Sequence, residues 1–552
     1  MRNAGQPIFI ALLLSCLLGP FDANAKNLSA ASCSRADVTT AYNAASDGDT
    51  IIIPTGDCQA ANKWSSSLDI TKKVTIQGAG AGSTMIGIST GTPVFEIKSD
   101  NVAVTGITFN CNYQNTSTTG IIFIGEYSTC PTASYKDWRV HHNTFDNCGG
   151  ANGDVTGYSA IAIAGFSYGL IDQNTFNDCN GECLDVSMDG VAGWSRSNEF
   201  GRYTNGTLFI EDNTFNVTRP GIYYENVVDG NSAQRFTFRH NTINVVDGGS
   251  INSGVVSTHE TCVLSTGSSS NCGDAGSAAY EMYNNTINLN ATGKMRDLGI
   301  VRGGRALIYN NRIIGTGDMS GRYHVASWLS NYRSFAAYGG IPTWCSAATH
   351  ARGYTGSCHE VDGSYIAEGL ERAKTTLTGA INSSQTTITL ASTAGFSANG
   401  VANGFSILID NEQIDYMGIS GNQLTGCTRA ANHTTAASHS NGARVDYLKF
   451  GVCLEQVNNV YIWGNQINGV VGSAMNDVYI CGYYPGGGMQ CAGEGGPDYT
   501  AYDIKSYAER PNNWQYRTGS AYSYTPYPYP YPHPLRTGLS APSPPLNLRI
   551  PN

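Results

Sequence analysis

"LFIEDNTF" (residues 208–215) decides how the chain is read. An alternating β-type run ends in Asn213, a small or polar residue follows, and an apolar ring comes two places after the Asn. The phrase returns as "RVHHNTF" (139–145), "LIDQNTF" (170–176), "FTFRHNTI" (236–243), "YEMYNNTI" (280–287), "RALIYNNRI" (305–313) and "VYIWGNQI" (460–467). The repeated residues are Asn143, Asn174, Asn213, Asn241, Asn285, Asn311 and Asn465, spaced by 31, 39, 28, 44, 26 and 154 positions. The shortest spacing sets one structural unit, and the longer ones are units carrying loop excursions. Each unit is built of short period-two strands with no helical pattern. Strands that repeat by stacking make a parallel β-helix.

In such a solenoid the Asn has two expected uses. It tolerates a left-handed backbone at a bend. Its amide, with donors and an acceptor, can bond to the copy on the next coil. The Phe or Ile two places on should point inward and fill the core.

Composition agrees. Only 13% of residues are charged, while Gly (65) and Tyr (32) are abundant, which suits strands and turns rather than helical bundles. A net charge of −10 lacks the basic face that nucleic-acid binding needs. The N-terminus reads as an export signal: Arg2, the apolar run "IFIALLLSCLL" (8–18) and the small-x-small site "ANA" (23–25), with cleavage after Ala25. The expected location is periplasmic or extracellular. No later run is apolar and long enough to span a membrane. Of 16 Cys, Cys16 leaves with the signal, so an odd number remains. An oxidising destination favours disulfides, and the local pairings expected are Cys33–Cys58, Cys179–Cys183, Cys262–Cys272, Cys345–Cys358 and Cys481–Cys491.

The domain boundaries follow: signal 1–25, β-helix 26–374, an inserted small β module 375–445, the rest of the β-helix with a Tyr/Pro-rich closing segment 446–536, and a linker or truncated tail 537–552. "CSRADVTTAYNAAS" (33–46) reads as a short amphipathic helix that plugs the first coil. "GAGAG" (78–82) is a turn, since no helix or Lys-Ser/Thr follows, and no organic cofactor is expected. "YTPYPYPYPHPLR" (524–536) has Pro too often for a ladder, so it should lie extended along the solenoid with its Tyr rings packed down.

Candidate chemistry lies on the strands that precede each Asn-bearing strand: "SAIAIAG" (159–165), "ECLDVSM" (182–188), "GIYYEN" (221–226), "SGVVSTHE" (253–260), "LGIVRGG" (298–304) and "FGVCLEQ" (450–456). Alternation sends Leu184, Val186, Val255 and Ile300 inward, and Asp185, Tyr223, Glu225, Ser257, His259 and Glu455 outward, with Arg302 at a strand end. Residues in one column of adjacent coils sit about 4.8 Å apart, close enough to act together. A long groove of this kind suits a polysaccharide. A lyase needs a base, here His259, Arg302 or Tyr223, and a cation for the uronate carboxylate, with Glu182, Asp185 and Asp189 as Ca²⁺ ligands. A hydrolase needs two carboxylates about 5–9 Å apart, such as Asp185 with Glu225 or Glu225 with Glu455. A glycan-binding surface needs only polar and aromatic side chains such as Tyr223 and Ser257. A homo-oligomer is a further partner left open.

The order "RFTFRHNTI", "STHE", "YEMYNNTI", "IVRGGRALIYNN", "YTPYPYPYPHPL" resembles secreted bacterial right-handed parallel β-helix repeat proteins of the pectate-lyase-like superfamily. The resemblance implies that fold, and marks Arg239, His259 and Arg302 as positions of interest. Residues 375–445, with "LTGCTRAANHTTAASHSNGA" (424–443), resemble a small β module of phage-tail and bacterial surface proteins. The expectation is an extracellular all-β protein acting on polysaccharide, with a uronate lyase ahead of a glycoside hydrolase and of a non-catalytic adhesin or scaffold.

Overall fold

The computed structural model describes residues 25–59, 63–88, 92–111, 120–125, 135–148, 159–165, 167–186, 207–220, 224–230, 235–258, 279–301, 304–318, 327–330, 375–400, 405–410, 412–431, 436–449, 457–470, 479–483, 489–491 and 529–537. The signal region, two expected disulfides (Cys262–Cys272, Cys345–Cys358) and the tail beyond Thr537 lie outside these residues.

Three long sheets run the length of the chain, with eleven, ten and eleven strands. Each coil contributes one strand to each, in the order first, second, third. Lys136–His141, Thr144–Asp146 and Ile161–Ile163 make one such coil. Every pairing in the first two sheets is parallel, and the third departs only in its last pair, Tyr479–Tyr483 with Met489–Cys491. This is a right-handed parallel β-helix.

The helix Arg35–Ala44 closes the N-terminal end. Ser34 caps it by accepting from the Asp37 N–H, and Val38, Ala41 and Tyr42 are buried on its inner side. The Cys33–Cys58 disulfide ties its entry to the second sheet.

The repeated Asn residues form one continuous ladder. Each Nδ2 donates to the Oδ1 of the next: Asn143 to Asn174 (3.2 Å), then Asn213, Asn241, Asn285, Asn311 and Asn465 (2.8–3.1 Å). Each Oδ1 also accepts the backbone N–H of the preceding coil's Asn, as Asn241 Oδ1 does from Asn213 N. The bend itself differs from expectation. The left-handed residue is the one before the Asn: His142, Gln173, Asp212, His240, Asn284 and Asn310, with φ between 53° and 56°, and Gly464 at 65°. That arrangement leaves the Asn buried beneath the bend, with its amide directed along the stack rather than spent on a local turn.

The rings two places later fill the core. Phe109, Phe145, Phe176 and Phe215 stack at 4.7–5.1 Å with near-parallel planes. On the other face of the same strands runs a second ladder: Asn177 to Asp146, Asn216 to Asn177, Asn244 to Asn216 and Asn288 to Asn244, each at 2.7 or 2.8 Å.

Of the expected disulfides, Cys33–Cys58 and Cys179–Cys183 are present, and Cys111–Cys148 is an additional one. Cys481 and Cys491 are direct partners in an antiparallel pair. Cys427 is the free thiol among the described residues.

Residues 375–449 hold two antiparallel sheets and a core of their own that includes Ile388, Leu390, Ile407, Ile414, Tyr416 and Leu424. Their polar centre is Glu412. It takes both arms of Arg429 (2.8 and 2.6 Å), the N–H groups of Ala430 and Ala437, and the ring of His439 at 2.8 Å. The other His439 nitrogen faces Asp410 at 2.8 Å.

The closing segment, over 529–537, packs on the outer face of the first sheet. Tyr529 and Leu535 cover Leu170 and Phe209, and Tyr531 stacks on His240 at 3.7 Å.

Candidate functional site

Two outward faces carry charge. On the first sheet, the residue two places before each ladder Asn forms a column in strict register: His141, Asp172, Glu211, Arg239, Tyr283 and Tyr309. Arg239 is wholly enclosed. It donates to Glu211 Oε2 (2.7 Å), to the Tyr283 hydroxyl (3.0 Å) and to the carbonyls of Tyr529 (2.6 Å) and Pro530 (2.8 Å). Arg139 grips Asp172 through two bonds of 2.8 Å. Arg536 reaches Asp172 and Glu211 at 3.0 Å each, and Asp212 beside them. The His533 N–H donates to Glu211 Oε1. Burial, with Arg239, Arg536 and Arg139 nearby, pushes the His533 ring down to about 3. The expected site residue Arg239 is buried here, and the chain's own closing strap takes up two of its donors.

The third sheet carries the acidic face. Its registers are Ala162 with Asp185, Asp185 with Asp229, and Asp229 with Ser257. Asp185 is partly exposed, whereas Asp229 and Ser257 are buried. Two expectations change here. The partner of Asp185 on the next coil is Asp229, not Glu225, which is passed over at the irregularity where Gly181 pairs with Tyr224 and Glu182 with Asn226. Ser257 keeps its column but is fully buried rather than exposed. The parallel between "LDV" (184–186) and "VDG" (228–230) was the available signal for this pairing.

A second line crosses the same coils. Glu182 pairs with Asn226, the Gly254 N–H donates to Asn226 Oδ1 at 3.3 Å, and Gly254 pairs with Asp297. All three side chains are buried. Neither oxygen of Asp297 has a hydrogen bond, although Arg296 Nε stands 3.5 Å away. Burial pushes its carboxyl well above the usual range against the pull of Arg296.

His259, Arg302, Tyr223, Glu455 and Asp189 lie outside the described residues, as does the side chain of Glu225. Ser250–Thr258 and Lys294–Val301 are neighbours, with Val256 in register with Gly299. His259 and Arg302 each follow three residues after that pair. Among the described residues no three His, Cys, Asp or Glu side chains come close enough to hold a metal. No helix among them is long and apolar enough to cross a membrane.

No family model matches the chain, and no curated protein does. Several solved structures are similar. An alginate lyase from Paenibacillus sp. str. FPU-7 is 15% identical over 52% of this chain and 95% of its own, with a TM-score of 0.31. A PL6 alginate lyase in complex with a trisaccharide is 16% identical over 53% of this chain and 60% of its own, at 0.29. A Geobacillus virus E2 protein is 13% identical over 76% of this chain and 74% of its own, at 0.25. At these identities and scores the likenesses carry no argument about activity. The class stands on strand pairing: a right-handed parallel β-helix protein.

Proposed function

We propose that the protein is an exported polysaccharide lyase that takes a uronate chain along the outer face of the third sheet. The carrying observation is the in-register acidic pair Asp185–Asp229 beside two strands that lead directly into His259 and Arg302. An acidic face repels a polyuronate unless a cation lies between them. Ca²⁺ suits that task because it takes about 6–8 oxygen ligands and shares them with substrate. Asp185 and Asp229 supply carboxylates, and Asp189 is the further expected ligand, while the expected Glu182 lies buried on the separate line with Asn226 and Asp297. When bound, the cation neutralises the uronate carboxylate and so acidifies the neighbouring C–H. His259 then serves as the base and Arg302 holds the chain. Export is supported by the three disulfides and by the apolar N-terminal run.

A glycoside hydrolase is the second reading. In-register neighbours stand about 4.8 Å apart at the backbone, near the ~5–5.5 Å separation of a retaining carboxylate pair. This favours Asp185 with Asp229 as that pair.

One panel tests both. The protein is incubated with alginate, pectins and neutral glycans, with Ca²⁺ or chelator, while absorbance of unsaturated ends and new reducing ends are followed. Both signals, lost with chelator, support the lyase. Reducing ends without absorbance support the hydrolase. Neither signal across the panel overturns both and leaves a binding scaffold.

A further inference from the structure

We propose that the outer face of the second sheet is an ice-binding surface. The observation is a two-column array across five coils. One column is Thr144, Thr175, Thr214, Thr242 and Thr286; the other is Asp146, Asn177, Asn216, Asn244 and Asn288. All ten side chains keep partial solvent exposure. The pairing across these five strands has no register shift. Strand spacing sets the repeat along the solenoid at about 4.8 Å, and the Thr and Asn columns are about 6.6 Å apart.

Three features make the array a rigid lattice. Sheets over many strands stay flat chiefly when stacking or side-chain ladders hold them so. Here the Phe145–Phe176–Phe215 stack lies beneath and the Asn ladder above. Thr is stiff at χ1, so its methyl and hydroxyl hold fixed positions. The ladder also fixes each Asn amide plane, and each rung uses one of its two N–H donors.

The Thr column is hydrogen-bonding surface left unused: among the described residues none of the five hydroxyls has a protein partner. Within the array Asp146 is the sole charged residue, and Arg312 follows in register beyond Thr286. The complement must therefore be uncharged, periodic at the strand spacing, and able both to donate and to accept. It must also bind without aromatic stacking, since the array holds no ring. A uronate chain fails the first condition, and a pyranose surface, which usually relies on stacking, fails the last. Ordered water in an ice crystal meets all four.

The test uses the full exported chain in slow ice growth on a cooled probe, with the protein fraction in ice measured. The comparison is the triple variant T175K/T214K/T242K, whose fold is checked by circular dichroism. Should Lys prevent folding, T175V/T214V/T242V keeps β-branching while removing the hydroxyls. The proposal expects at least tenfold more intact protein in the ice than variant. It is overturned if intact protein is excluded, or if variant and intact protein enter ice equally. Retention on insoluble cellulose or chitin, lost in the variant and without entry into ice, overturns it in favour of a neutral polysaccharide.

Discussion

The guanidinium of Arg239 and the carboxylate of Glu211 meet across adjacent coils at 2.7 Å with neither side chain exposed. Two strap carbonyls, a Tyr hydroxyl and the His533 N–H complete their hydrogen bonding. Removing one partner would leave a buried charge uncompensated. Arg239→Met should therefore cost on the order of 3–5 kcal/mol, and R239M/E211L should recover most of it. Denaturant unfolding of the two variants checks this. A single variant as stable as the parent would show that the pair is not an anchor.

The strap holds these groups, so losing it should act through them. A chain ending at Pro528 leaves Arg239, Glu211, Asp172 and Phe209 without their cover. Its thermal transition should fall and broaden, and proteolysis should begin near residues 208–240. An unchanged transition would make the strap a passive tail.

Asn213 sits mid-ladder, accepting from Asn174 and donating to Ile171 O, Glu211 O and Asn241. Asn213→Leu strands the Asn174 N–H and adjacent carbonyls in the core. Unsatisfied buried groups cost about 1–3 kcal/mol each. Hydrogen exchange should quicken on the coils either side. Protection confined to its parent level would mean that the rungs are dispensable.

Within residues 375–449, burial works against the charge on Glu412. Arg429, the N–H groups of Ala437 and Ala430, and His439 outweigh it and hold the carboxyl at about 2, below its ordinary 4.5. The folded value is the depressed one. Its stabilisation is complete above about 4.5 and is lost as pH falls through about 2. Hydrogen exchange across residues 405–431 should therefore accelerate over that window, and Glu412→Gln should flatten the response. An equally steep profile in the variant would assign the acid sensitivity elsewhere.

At the proposed site, Asp185→Asn and Asp229→Asn should each lower turnover at least a hundredfold while leaving the melting transition within a few degrees. Steady-state rates on whichever glycan responds check this. Full activity in both variants would remove the acidic pair from the chemistry.

The solenoid was legible because its cause is local and repeated. Each Asn-x-Phe/Ile phrase carries its own bend, rung and core ring, so "LFIEDNTF" already states a coil. The left-handed position was misread because both residues of "DN" or "HN" tolerate that backbone, and only burial separates them. Arg239 could not be read as an anchor, since its strap partners Tyr529 and Pro530 lie 290 and 291 residues away. Glu225 could not be seen to drop out of the pairing, because it is passed over at a strand irregularity between Tyr224 and Asn226 that alternation does not reveal. Periodicity thus foretells what repeats, while partners distant in sequence and slipped registers need three dimensions.

The amide rung from Asn311 to Asn465 is 2.9 Å long although 154 residues separate them. Inside that interval, Thr375 and Val445 are paired neighbours at the two ends of the module. The chain therefore contains a natural splice point. A foreign folded unit with similarly adjoining termini, grafted in place of 375–445, leaves the rung able to close, so the solenoid offers itself as a carrier for displayed cargo.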